Sequence, residues 1–108
     1  MTTLLTPTQQ SVVRAVLIAA GARAAVVFGS RARGDARPGS DLDLAVTGLS
    51  AAALARVRAA LDDAPLPFAC DVVALDTLAD GPLRTAIERE GRTILGGWTD
   101  VPTPPVQV

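Results

Sequence analysis

Two hydrophobic periods alternate along the chain. From Pro7 to Ala20, the residues Val12, Val13, Val16, Leu17 and Ala20 recur at helical spacing and predict one buried stripe. Thr6 can cap this helix, Pro7 fits its first position, Gln9 completes a capping box, and Gly21 is a fitting stop. Ala24-Ala25-Val26-Val27-Phe28 is apolar throughout and predicts a buried strand. Asp41-Leu42-Asp43-Leu44-Ala45-Val46 predicts a second strand, with Asp41 and Asp43 on one face and Leu42 and Leu44 on the other. Ser50 can cap a helix running to about Leu61, with Leu54, Val57 and Leu61 inward. Phe68–Leu75 predicts a third strand with a single acid, Asp71, in an apolar run. Asp80-Gly81-Pro82 opens a helix through about Glu90, ended by Gly91. Its expected inner stripe is Leu83 and Ile87, with Arg84, Glu88 and Arg89 on a solvated face. Arg92–Leu95 reads as a short edge strand, and Gly96-Gly97 as the end of the domain. The expected organisation is one domain over residues 1–97 and an extended, proline-rich tail over 98–108. The fold class is α+β, a small mixed or antiparallel sheet with helices mainly on one face. The loop between the first two strands is too short for a long crossover, so they are expected to run antiparallel or mixed.

The chemistry concentrates between Gly29 and Asp43. The first strand ends abruptly at Gly29-Ser30, where glycine lets the backbone turn and lets another group come close. Ser30 offers a hydroxyl and backbone N–H groups suited to phosphate, and a short helical turn over Ser30–Gly34 would add partial positive charge there. Pro38-Gly39 signals a turn before the second strand. Two carboxylates side by side repel; at ~4 Å and an effective dielectric of ~20 the cost is ~4 kcal/mol. A divalent cation reverses that sign, and all-oxygen ligands suit Mg²⁺ or Mn²⁺ shared with substrate phosphates. Asp71 must be neutral, be paired, sit at an exposed end or meet a metal, since a lone buried charge is costly. Arg31, Arg33 and Arg37 crowd the loop, and each reads equally as a phosphate or adenine contact or as solvated charge. Ser40 either caps the turn or touches substrate; Asp35, Asp62, Asp63 and Asp76 read as turn residues, and Cys70 as core.

Gly29-Ser30, ten intervening residues and Asp41-x-Asp43 resemble the nucleotidyltransferase motif of the DNA-polymerase-β-like superfamily. The fuller string Gly-Ser-Arg-Ala-Arg-Gly…Ser-Asp-Leu-Asp-Leu is similar to its minimal nucleotidyltransferase branch, over roughly residues 10 to 95. The resemblance implies that Asp41, Asp43 and Asp71 form a catalytic, metal-binding set for two Mg²⁺ ions, with Asp71 as the third carboxylate on a following strand. It implies nucleotide contacts from Gly29, Ser30, Arg33 and Ser40, with Arg33 favoured among the arginines because it lies in the family-like Ala-Arg-Gly. Proteins of this branch act as antitoxins paired with a HEPN ribonuclease toxin, and some transfer AMP from ATP to a toxin tyrosine. A hetero-oligomer with such a toxin is therefore expected, with ATP as substrate.

Composition narrows the alternatives. With no histidine, lysine or tyrosine among its 108 residues, the chain cannot alone build a Ser-His-Asp triad, a histidine zinc site or a lysine Schiff base. All ten basic residues are arginine, which suits phosphate but also follows from a GC-rich genome. The net charge of −1 gives no field to draw nucleic acid, no apolar run reaches the ~20 residues of a membrane span, and one cysteine fits a reducing cytoplasm. A domain this size is expected to lack a separate acceptor-binding module, which favours a protein acceptor. The other readings are an antitoxin that binds and blocks its toxin without turnover, and a small-molecule enzyme such as an antibiotic nucleotidyltransferase. Trp98 reads either as a partner anchor or as a residue folded back on the domain.

Overall fold

A computed structural model describes residues 5–37 and 39–105. In order, the elements are α1 (Pro7–Ala20), β1 (Ala24–Phe28), α2 (Ser30–Arg33), β2 (Leu42–Thr47), α3 (Ala51–Asp63), β3 (Cys70–Ala74), α4 (Pro82–Glu90) and β4 (Arg92–Leu95). The capping box at α1 forms as its residues predict: Thr6 Oγ1 accepts from Gln9 N at 3.1 Å and Gln9 Oε1 accepts from Thr6 N at 3.0 Å. Ser50 caps α3 through Ala53 N at 3.1 Å. The predicted Pro38-Gly39 turn falls partly on Pro38, which lies outside the described residues; Ser40 N donates to Arg37 O at 2.9 Å.

The four strands form one mixed sheet in the order β3-β2-β1-β4. β1 pairs antiparallel with both β2 and β4, while β2 and β3 run parallel. A parallel pair needs a crossover, and α3 supplies it. β1 sits centrally and is buried along its whole length, which is why it is apolar without alternation. Its side chains divide between two clusters. Ala25 and Val27 join Leu42, Leu44 and Val46 beneath Val13 and Leu17 of α1 and Val57 and Leu61 of α3. Val26 and Phe28 join Ala45, Leu75 and Ile87 of α4 on the other face. Two of the three longer helices thus share one face, and the acidic residues of β2 and β3 lie on the other.

α4 corrects one expectation. Arg84 is not on a solvated face; it is 1% exposed, whereas Leu83 is 42% exposed. The buried stripe runs through Arg84 and Ile87, because backbone carbonyls crowd that side of the helix and need a donor. Arg84 Nη1 donates to Leu75 O at 3.1 Å and Leu78 O at 3.3 Å, Nη2 donates to Pro102 O, and Nε pairs with Glu88 at 3.1 Å. The segment after Gly97, expected to be extended, instead turns over Trp98–Asp100, with Asp100 accepting from Gly97 N at 3.0 Å, and packs Val101 on the α4 cluster. β3 begins at Cys70 rather than Phe68. No described helix is long and apolar enough to cross a membrane.

Arg84→Ala should cost about 3 kcal/mol or more, because it strands the carbonyls that the guanidinium satisfies. Chemical denaturation measures the loss; a cost below about 1 kcal/mol would mean that water replaces the fork.

Candidate active site

The register places the acids. Phe28 ends β1 opposite Asp43, and Asp43 stands opposite Asp71 across the parallel pair, so the two carboxylates leave neighbouring strands on the same face. Asp41 immediately precedes β2, two residues from Asp43 and therefore of the same parity. Asp41 and Asp71 are exposed, and Asp43 is half-buried. Burial, and then the charges of Asp71 and Asp41, push the Asp43 carboxyl above its ordinary value, with Arg33 pulling it partly back. Asp43 thus feels both Asp41, two residues before it, and Asp71, 28 residues after it.

Gly29 is moulded to this cluster. Its φ of 76° and ψ of −154° belong to a region that side chains avoid. A methyl group there would collide with Asp43 Oδ2 and stand 3.2 Å from its Cγ. Glycine is therefore required both by the turn and by the carboxylate lying over it. α2 begins at the next residue. Arg33 N, Gly34 N and Asp35 N bond back to Gly29 O and Ser30 O, which leaves the first amides of the turn without helical partners.

The other candidates divide. Arg33 pairs with Asp35 at 3.2 Å and Glu90 at 3.1 Å, and its charge reaches Asp43. Ser40 is used structurally: its Oγ accepts from Arg37 N at 2.9 Å, and its carbonyl accepts from Arg31 Nε and Nη2 at 3.1 and 2.7 Å. The same Arg31 guanidinium stacks 4.0 Å from the centroid of the Phe68 ring. Asp35 serves the Arg33 pair, and Asp76 accepts from Thr47 Oγ1 and, at 2.9 Å, from Gly48 N. Asp76 therefore fastens the end of β2, a long-range role beyond the turn expected of it. Burial pushes the Cys70 thiol up to about 11, which fits packing rather than reactivity. Glu90 and Arg92 carry no local signal of a role near the site, because their partners Arg33 and Ala32 lie 57 and 60 residues away.

As the side chains stand, no group of three or more potential metal ligands converges on one point among the described residues. The donor chemistry nevertheless suits a hard divalent cation. Asp43 and Asp71 are in direct cross-strand register, Asp43 already carries a like-charge penalty, and exposed Asp41 and Asp71 have room to rotate inward.

A profile described as polymerase beta nucleotidyltransferase matches residues 17–97. The chain belongs to the polymerase-β nucleotidyltransferase family. A solved structure described as a minimal nucleotidyltransferase shares 37% identity with this family member, with a TM-score of 0.62 over 79% of this chain and 88% of that one. A toxin–antitoxin crystal structure with AMP-PNP is similar at 23% identity and a TM-score of 0.70, covering 84% of this chain and 76% of that one. An MntA–HpeT toxin–antitoxin complex bearing two Asp-to-Glu substitutions, two residues apart, is similar at 21% identity, a TM-score of 0.69 and the same coverage. No curated protein matches the chain significantly.

Two outcomes follow from the geometry. Gly29→Ala should cost about 1–3 kcal/mol from backbone strain and should displace Asp43, a loss that thermal denaturation measures. Asp43 has a folded value raised above the unfolded 3.8, so its ionised form weakens the metal-free fold. That penalty is absent below the unfolded value and is complete once pH exceeds the raised one. Asp43→Asn should therefore stabilise the metal-free protein at pH 7 by less than about 1 kcal/mol, given solvent screening, with the gain vanishing towards pH 3. Thermal melts across that range in EDTA test the sign.

Proposed function

We propose that this protein is a Mg²⁺-dependent nucleotidyltransferase, an antitoxin that transfers AMP from ATP to a hydroxyl, a tyrosine's, on a partner HEPN ribonuclease toxin. The observation carrying this reading is the register of Asp43 against Asp71 with Gly29 moulded beneath Asp43. A bare cluster of that kind is electrostatically unfavourable, and it gains a purpose when a cation and a polyphosphate occupy it. Support for the nucleotide comes from the AMP-PNP of one similar toxin–antitoxin structure, and support for the partner comes from that complex and the MntA–HpeT one.

Asp41, Asp43 and Asp71 would hold two Mg²⁺ ions, Mn²⁺ being an alternative. When bound, the metal neutralises charge at the reacting phosphate and lowers the pKa of the attacking hydroxyl. Gly29 and the amides of Ser30 orient the β and γ phosphates at the mouth of β1. Arg33, poised beside Asp43, exchanges its exposed Asp35 pair for a phosphate oxygen. The acceptor oxygen attacks the α-phosphorus as the bond to the bridging α–β oxygen breaks. Pyrophosphate leaves with that electron pair, and the hydroxyl proton passes to an Asp71 carboxylate oxygen. Positioning and electrostatics supply most of the acceleration.

Incubation with the partner toxin, labelled ATP and Mg²⁺ should label the toxin. Asp43→Asn or EDTA should lower the rate by at least about 10³-fold. Labelling that survives Asp43→Asn excludes this site. Inhibition of the toxin without any Mg²⁺-dependent ATP binding would establish the blocking antitoxin instead, and adenylylation of an antibiotic by the isolated chain would establish the small-molecule enzyme.

A further inference from the structure

α2 is a helix of only four residues, and so short a helix does not stand alone, because its nucleation cost exceeds what its few hydrogen bonds return. Its orientation must come from tertiary tethers. One is Arg31, which fastens it to Ser40 O at the entry to β2. The others converge from the junction of α4 and β4. Glu90 receives Arg33 Nη1 at 3.1 Å, and Arg92 Nε donates to Ala32 O at 3.2 Å. Glu90 is the more enclosed member of its pair, with its side chain 16% exposed against 46% for Arg33. The residue between them, Gly91, lets this junction press against β1: an added methyl group would collide with Ile87 O and Val26 Cγ1 and stand 3.1 Å from Trp98 Cη2.

We infer that Glu90 and Arg92 are positioning residues, a bracket that fixes α2 and thereby holds the Gly29–Ser30 turn in place over Asp43 for the nucleotide's phosphates. The inference rests on the nucleotide-binding reading given above for its consequence, but not for the bracket itself. Gly29 O and Ser30 O are the acceptors of the α2 hydrogen bonds, so any rotation of α2 moves the turn directly. Glu90 also acts on Arg33 itself. The guanidinium stays held from the Glu90 side when Asp35 lets go. Among the described residues the Arg92 side chain hydrogen-bonds a carbonyl of α2 and none of Asp41, Asp43 and Asp71, so its effect on nucleotide must pass through the turn.

The experiment has two arms. In the nucleotide-free protein, amide hydrogen exchange at Arg33, Gly34 and Asp35 reads the order of α2. Glu90→Gln and Arg92→Ala should each speed exchange there by about tenfold while leaving the amides of β1 and β2 unchanged. In the second arm, calorimetry with Mg²⁺ and ATP should give a dissociation constant raised about five- to tenfold in both variants, with Arg92→Lys restoring most of the affinity and Arg56→Gln, on the opposite helices, leaving it unaltered. Should either variant fail to fold, Arg92→Gln and Glu90→Asp carry the same comparison with milder effects. Unchanged exchange at α2 overturns the bracket whatever the nucleotide does. A wild type that binds ATP, with variants that exchange faster yet bind equally well, overturns its role in positioning phosphate. A wild type that binds no ATP, with α2 loosened in the variants, overturns the nucleotide reading and leaves the bracket as architecture only.

Discussion

The parallel pairing of β2 with β3 sets a carboxylate directly beside a carboxylate, and the rest of the fold exists around that unfavourable contact. Like charges opposite one another weaken a sheet. Here they cannot escape by slipping. A shift of one residue in β2 would turn Leu42, Leu44 and Val46 away from α1 and α3, and would remove them from the main core. Hydrophobic burial on one face therefore enforces electrostatic conflict on the other. Burial first, and then the charges of Asp71 and Asp41, raise the Asp43 carboxyl above its ordinary value.

Arginine holds the surroundings of that site together. Among the described residues, five arginines donate to backbone carbonyls: Arg14 to Ile94, Arg31 to Ser40, Arg58 to Val72, Arg84 to Leu75, Leu78 and Pro102, and Arg92 to Ala32. Loops and short strands leave carbonyls without ladder partners, and a planar fork of donors satisfies several at once. A basic composition that reads equally as phosphate affinity or genomic bias is thus largely structural in use. Arg33 instead pairs with two carboxylates, Asp35 and Glu90.

The elements themselves are well written in the chain. The capping box at Thr6, the apolar run of β1, the alternation of β2 and the Gly91 stop of α4 each depend on neighbours within a few residues, and each forms as those neighbours predict. Arg84 and Leu83 depart from their local pattern for the opposite reason. Hydropathy assigns leucine inward and arginine outward, but the carbonyls that bury Arg84 come from residues up to 18 positions away. Ser40 is a local case: of its two readings, turn cap or substrate contact, the structure shows its hydroxyl accepting from Arg37 N in the turn.

Local sequence by itself determined the strands, the helices, the glycine turn and the parity that puts Asp41 and Asp43 on one face, because backbone periodicity and capping act over a turn or a pleat. It also determined that no histidine, lysine or tyrosine chemistry is open to this chain. The tertiary structure alone decided that Asp71 lies beside Asp43, that Asp43 closes over Gly29, and that Glu90 and Arg92 clasp α2. Those contacts join residues as much as 60 positions apart, and their partners are selected by sheet register and helix packing, which no local pattern encodes.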